Sequence, residues 1–201
     1  MTRRAPLPPS RVELAVRWTR ITFYGWSLGF ALVLVFIALS GLVGLGNAQF
    51  PVGLGMGVGV GLLQRRVVAE RTGTGTGWLG ASALGMTAPF LARDAARLLH
   101  LQLPHPLAGS IVVGGLLVGL LQWRLLRLDP GRGAGWVVAS LAGWALGGST
   151  VVLNERVFPK MPGIVGALMY IGVILTGGIL LGATTGLILP RTLEACSPRS
   201  P

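Results

Sequence analysis

Apolar residues in this chain gather into six runs, and nearly all charged residues fall in the short stretches between them. The runs predict helices at about 21–45, 51–68, 78–97, 107–126, 135–153 and 164–189. Each is close to the ~20 residues needed to cross a hydrocarbon core about 30 Å thick. A strand reading is open only at 51–68, where glycine alternates with Val, Leu and Met, but that run is too long, and an isolated strand leaves its backbone unsatisfied in lipid. The expected fold is all-α. A basic segment at 1–20 precedes a six-helix transmembrane domain at 21–190, and a polar tail at 191–201 follows. The first run resembles a signal peptide in its basic flank, but its length of about 25 residues suits a spanning helix better than a signal core of about 7–15.

Within the runs, glycines recur four apart. Gly57–Gln64 reads GVGVGLLQ, Gly115–Gln122 reads GLLVGLLQ and Gly178–Thr185 reads GILLGATT. The first two are in register at an offset of 58, which also lays Gly77, Trp78, Ala81, Ser82 and Gly85 on Gly135, Trp136, Ala139, Ser140 and Gly143. With Gly25-Trp26 as the candidate opening of a first unit, the chain reads as three tandem two-helix hairpins of one orientation, related by an axis along the membrane normal. Small residues at this spacing form a stripe along which helix backbones approach closely. The candidate packing glycines are Gly53, Gly57, Gly61, Gly115, Gly119, Gly178 and Gly182. Gly55 and Gly59 make a second, nearly opposite stripe, so the second helix is expected to press on two neighbours. Three two-helix units are similar in plan to the mitochondrial carriers, but the carriers' Pro-x-Asp/Glu-x-x-Lys/Arg signature is absent and these units are shorter. Gly119-Leu-Leu-Gln-Trp-Arg-Leu-Leu-Arg127 resembles segments of uncharacterised multi-span bacterial membrane proteins, a resemblance that covers helices 2 to 5 and implies no activity.

Composition sharpens the membrane reading. Of 201 residues, 52% are hydrophobic and 11% charged, and 32 are glycine; mean hydropathy is +0.70. Soluble domains carry about 25% charge, so lipid is the expected solvent. The net charge of +11 sits in clusters between apolar runs rather than on one soluble face, which points to topology and not to nucleic acid. With the N-terminus inside, thirteen of the 17 Lys and Arg fall on the cytoplasmic side. That orientation puts both termini in the cytoplasm of a multi-pass inner-membrane protein. Five of the six tryptophans fall near the cytoplasmic boundary, with Trp144 deeper. The single cysteine, Cys196, leaves no intrachain disulfide. Thr72–Gly77, TGTGTG, lacks the strand and the Gly-Lys-Ser/Thr of a phosphate loop and reads as a flexible connection.

Candidate chemistry is sparse. Gln64, Gln122 and Thr185 fall at equivalent places and form a candidate polar ring, able to line a narrow passage or to hold helices together. Ser82 and Ser140 lack a nearby base and are expected to bond to backbone one turn earlier or across a helix contact. Arg93, Asp94, Arg97, Glu155 and Arg156 form a candidate outer-face polar cluster, more readily structural than functional. His100 and His105 have no companions of metal-ligand spacing, so no metal and no cofactor are expected. The leading expectation is a non-enzymatic packing or assembly component of the bacterial inner membrane, surrounded by lipid and associating with itself or with a larger complex. The alternative is a small-solute transporter or channel that uses the polar ring. A solvated central cavity reaching that ring would distinguish the two.

Overall fold

The computed structural model describes residues 10–101, 106–157 and 163–194, apart from the side chains at 106 and 155–157. They form six α-helices: α1 (Arg11–Leu42), α2 (Phe50–Thr72), α3 (Gly75–Leu98), α4 (Pro106–Leu126), α5 (Pro130–Val157) and α6 (Gly163–Glu194). By length and apolar composition, α1, α2, α4, α5 and α6 can each cross a membrane. The remaining helix, α3, carries Arg93, Asp94 and Arg97 in its last turns.

Several helices run further than their apolar runs. α1 begins ten residues before position 21, so half of the expected N-terminal segment is helix. A capping box sets this start: Ser10 Oγ accepts from the Glu13 backbone N–H at 3.2 Å, and Glu13 accepts from the Ser10 N–H at 2.7 Å. That pattern nucleates a helix in water as readily as in lipid. At its other end α1 stops at Leu42, short of 45, where Gly44 takes a positive φ of 79°. α5 starts at Pro130 rather than 135, where Pro supplies the φ of a first turn and needs no partner for its missing N–H. α6 continues through Pro190 to Glu194, four residues into the expected tail. The TGTGTG stretch is not a flexible connection, because only Gly73 and Thr74 lie between α2 and α3. Gly73 makes the turn at φ 71° and its N–H returns to Ala69 O at 3.0 Å, a glycine C-cap.

Each helix packs against its chain neighbours and α6 packs against α1, closing a ring. Glycine contacts set the antiparallel register. Gly53, Gly57 and Gly61 of α2 meet α3 at Met86, Ser82 and Ser82 again, while Gly55 and Gly59 meet α1 at Val33 and Gly29. Gly115 and Gly119 of α4 meet α5 at Trp144 and Ser140, and Gly178 and Gly182 of α6 meet α1 at Trp26 and Thr19. Gly85 and Gly143, absent from the expected packing set, make the other two seams, against Val118 and Leu181, and Gly25, also absent from it, adds to the α1–α2 seam at Val60.

Not every helical glycine is a seam. Gly80 and Gly172 have open space where a Cβ would stand, so Gly80→Ala and Gly172→Ala should each leave melting unchanged or raise it. The expected gain is up to about 1 kcal/mol from helix propensity.

The bundle has two unlike ends. At one end stand Arg11, Arg17, Arg20, Arg65, Arg66, Arg71, Arg124, Arg127, Arg132 and Arg191. At the other, Arg93 and Arg97 are the Arg or Lys side chains among the described residues. Exposed ion pairs staple the basic end. Arg11 meets Glu194 at 2.8 Å, joining the first helix to the last, and Arg17 meets Glu70 at 2.6 Å. At such exposure each contributes about 0–1 kcal/mol.

Candidate functional site

The axis of the ring holds three layers. Nearest the basic end, Trp18, Trp78 and Trp136 close on one another, with ring centroids 5.6–6.3 Å apart and exposures of 0%, 0% and 1%. They arrive from α1, α3 and α5. A buried indole N–H needs an acceptor, and each finds one on the preceding helix around the ring. Trp78 Nε1 donates to Gln64 Oε1 at 3.2 Å, Trp136 Nε1 to Gln122 Oε1 at 3.0 Å, and Trp18 Nε1 to Thr185 Oγ1 at 2.8 Å. The two glutamines use their other end as well. Gln64 Nε2 donates to Thr22 Oγ1 at 2.9 Å and Gln122 Nε2 to Ser82 Oγ at 3.0 Å. Each glutamine therefore joins three consecutive helices. Thr185 is too short to do so, and its hydroxyl turns back to Leu181 O at 2.7 Å. Ser82 bonds one turn back to Trp78 O at 3.0 Å, whereas Ser140 bonds across to Gly115 O at 2.9 Å.

The structure thus brings Gln64, Gln122 and Thr185 together, but as acceptors for a tryptophan cluster. The void among them measures ≈ 10 Å³, at the lower limit of the about 10–15 Å³ that admits one water. It also corrects the tryptophan assignment. Trp18, not Trp26, stands with Trp78 and Trp136, and Thr22 stands with Ser82 and Ser140, each four residues on. Trp26 lies two turns deeper, with its ring 5.7 Å from that of Trp144 and its Nε1 donating to Ile174 O at 2.9 Å. The clue in the sequence was Trp-x-x-x-Ser/Thr, which occurs at 18, 78 and 136; the Gly-Trp pair at 25–26 masked it.

Beyond Val60, Val118 and Leu181 the axis opens into an apolar chamber of ≈ 330 Å³. All six helices contribute to its walls. Trp26, Met86 and Trp144 lie deepest, and Gln49, Leu107 and Tyr170 lie toward the far end. No residue of this chamber was singled out from sequence as a site, because its liners are ordinary core types whose convergence depends on ring closure.

The expected outer cluster divides. Asp94 accepts from the Gln49 and Phe50 backbone N–H groups at 2.8–2.9 Å. It serves as the cap of α2, whose own N-cap residue makes no side-chain bond. Arg97 Nη1 donates to Asn47 O at 2.8 Å. Together they clamp the α1–α2 connection to the end of α3. Arg93 differs: its Nη1 is buried without a hydrogen-bond partner. The residue as a whole is half-buried. The side chains of Glu155 and Arg156, and the whole of His105, lie outside the described residues. Asp94→Ala should lower stability by about 0.5–2 kcal/mol through loss of the cap, with Asp94→Asn milder; thermal melts in mild detergent measure both.

Comparisons of the chain with protein-family models, with curated proteins and with solved structures each find no match.

Proposed function

We propose that this chain is a bacterial inner-membrane protein of three tandem hairpins that crosses the bilayer six times and acts as a non-enzymatic packing or assembly component. The observation that carries the reading is the sealed axis. A solute route through Gln64, Gln122 and Thr185 would have to pass three mutually packed tryptophans bonded to those same residues. The hairpin plan draws on matching offsets. Trp18, Trp78 and Trp136 are followed at four residues by Thr22, Ser82 and Ser140, and at seven by Gly25, Gly85 and Gly143. Composition alone does not repeat a three-part spacing together with its hydrogen bonds.

The outside is apolar, and polar side chains are held inside among apolar ones, unlike the polar surface of a soluble bundle. Leu34, Val35, Leu39, Ile164, Leu168 and Leu187 are exposed, whereas Thr22, Gln64, Ser82, Gln122, Ser140 and Thr185 are buried. We take α3 as a sixth crossing because it is packed between α2 and α4. The arginine-rich end then faces the cytoplasm, and both termini lie there.

Two experiments test this. In a chain with Cys196→Ser, an Asn47→Cys thiol should react with an impermeant maleimide on intact spheroplasts, and a Thr76→Cys thiol only after permeabilisation. Equal reactivity would overturn the six-crossing plan. Purification in mild detergent should recover a stoichiometric protein partner or a homo-oligomer. A lone protein that moves a solute across liposomes would replace the assembly reading with transport.

A further inference from the structure

We infer that the axial chamber holds one acyl chain of an anionic amphiphile, whose head group is met by Arg93 at the far end of the bundle. This goes beyond the assembly role, which needs no ligand.

Two features carry the inference, and neither suffices alone. The first is the chamber: ≈ 330 Å³, within the about 300–1,000 Å³ of small-molecule sites, and walled mainly by Trp, Phe, Met, Ile, Leu and Val. Such a space holds water poorly and takes apolar guests. The second is polar. Among the described residues, two buried side-chain atoms have no hydrogen-bond partner, Arg93 Nη1 and Asn154 Oδ1. Buried polar atoms are seldom left unpaired, and Arg93, half-buried as a residue, has this one nitrogen shut off from solvent.

Both orphans lie just past residues that line the chamber. Arg93 follows Phe90 by three positions and Met86 by seven, which puts it on the same face of α3, one turn nearer the far end. Asn154 follows Val151 by three on α5 and is fully buried; its Nδ2 is already bonded to the backbone oxygen of Tyr170, itself a chamber residue, at 2.7 Å. A cationic donor and a neutral acceptor therefore stand beyond an apolar well.

That order selects the chemistry. A bare alkane would fill the well and leave Arg93 Nη1 unpaired, whereas a free phosphate would meet that nitrogen and leave the well empty. An acyl chain ending in a carboxylate or a phosphate satisfies both, and a protonated or hydroxyl oxygen of the head can donate to Asn154 Oδ1. The axial distance fits as well. Arg93 is fifteen residues from Trp78, about 22 Å along the helix at about 1.5 Å per residue. With the tryptophan layer toward one interface, the head falls toward the other side of a core about 30 Å thick.

Bromine quenches indole emission on contact, and Trp26 and Trp144 line the chamber. Full-length protein in mild detergent, titrated with 9,10-dibromostearate and separately with brominated phosphatidylglycerol, should show saturable quenching with at least one of them. Which one saturates distinguishes a free fatty acid from a bilayer lipid. The saturable part should vanish in a Trp26→Phe, Trp144→Phe chain and persist in Trp123→Phe. Arg93→Gln should raise the half-saturating concentration about tenfold, the weight of one charge-assisted bond. Val52→Phe with Val151→Phe fills the well and should abolish saturation. If that pair spoils the elution profile, the Arg93→Gln and tryptophan variants decide. Linear quenching with both probes, or saturation unchanged by Arg93→Gln, overturns the inference. A monodisperse, membrane-inserted protein with only linear quenching leaves the assembly reading standing.

Discussion

Gly59→Leu is expected to yield no folded protein. A Cβ at Gly59 would strike the backbone of Gly29 and come within 2.7 Å of Gly25 O. These obstacles are main chain, which cannot rotate aside as a side-chain end can. The same seam places Val33 N 2.6 Å from a Cβ on Gly55 and Val60 Cα 2.9 Å from one on Gly25, so room at one point requires parting α1 from α2 along its length. Overpacking costs about 1–3 kcal/mol even for a few methylenes, and Leu adds four carbons. Gly59→Ala is the finer test. It gains up to about 1 kcal/mol of helix propensity and loses more to the clash, so its melting temperature in mild detergent should fall while that of Gly80→Ala does not. A Gly59→Ala chain that melts at or above the parent would show that the two backbones are not in contact.

Trp78→Ala should be nearly as damaging. The indole is fully buried against two others, and removing a buried aromatic side chain costs about 3–5 kcal/mol. It also strips Gln64 Oε1 of its donor, for which about 1–3 kcal/mol is typical, although the two losses overlap because water can enter the space. A double-mutant cycle separates them. Trp78→Phe keeps most of the volume and removes the N–H, whereas Gln64→Leu keeps the shape and orphans both Trp78 Nε1 and Thr22 Oγ1. The two changes share one bond, so they should be less than additive by about 0.5–3 kcal/mol. Strict additivity in melts would show that the indole and the amide act independently, and the tryptophan layer would then be held by packing alone.

Much of the architecture is legible in the residue pattern alone. Run length and charge spacing located six helices, five of them long and apolar enough to cross a membrane, because an uninterrupted apolar run of about 20 residues between charged stretches suits a helix of spanning length. Glycine periodicity pointed to α2 as a helix with two close neighbours because bare backbone at every fourth residue has few other uses inside an apolar run. Helix ends were less legible. Apolar runs report where lipid starts, whereas hydrogen bonding decides where a helix starts, so the capping box at Ser10 and Glu13 carried α1 well past the apolar edge. Gln64, Gln122 and Thr185 were legible as a set, but not their tryptophan donors, since Trp18 belongs to a stretch whose arginines disguised it as leader.

What the sequence determined on its own is therefore the apolar length of the helices, the helical class, the grouping of charge at one end and the stripes along which helices could meet. The tertiary structure decided which stripes met which. Closure of α6 on α1 brought Thr185 to Trp18 across 167 positions, turned a ring of polar side chains into a plug, and left an apolar chamber behind it with Arg93 near its mouth. Periodicity could not reveal this, because it records which face of a helix is apolar or small, while the identity of the facing helix depends on how the whole ring closes.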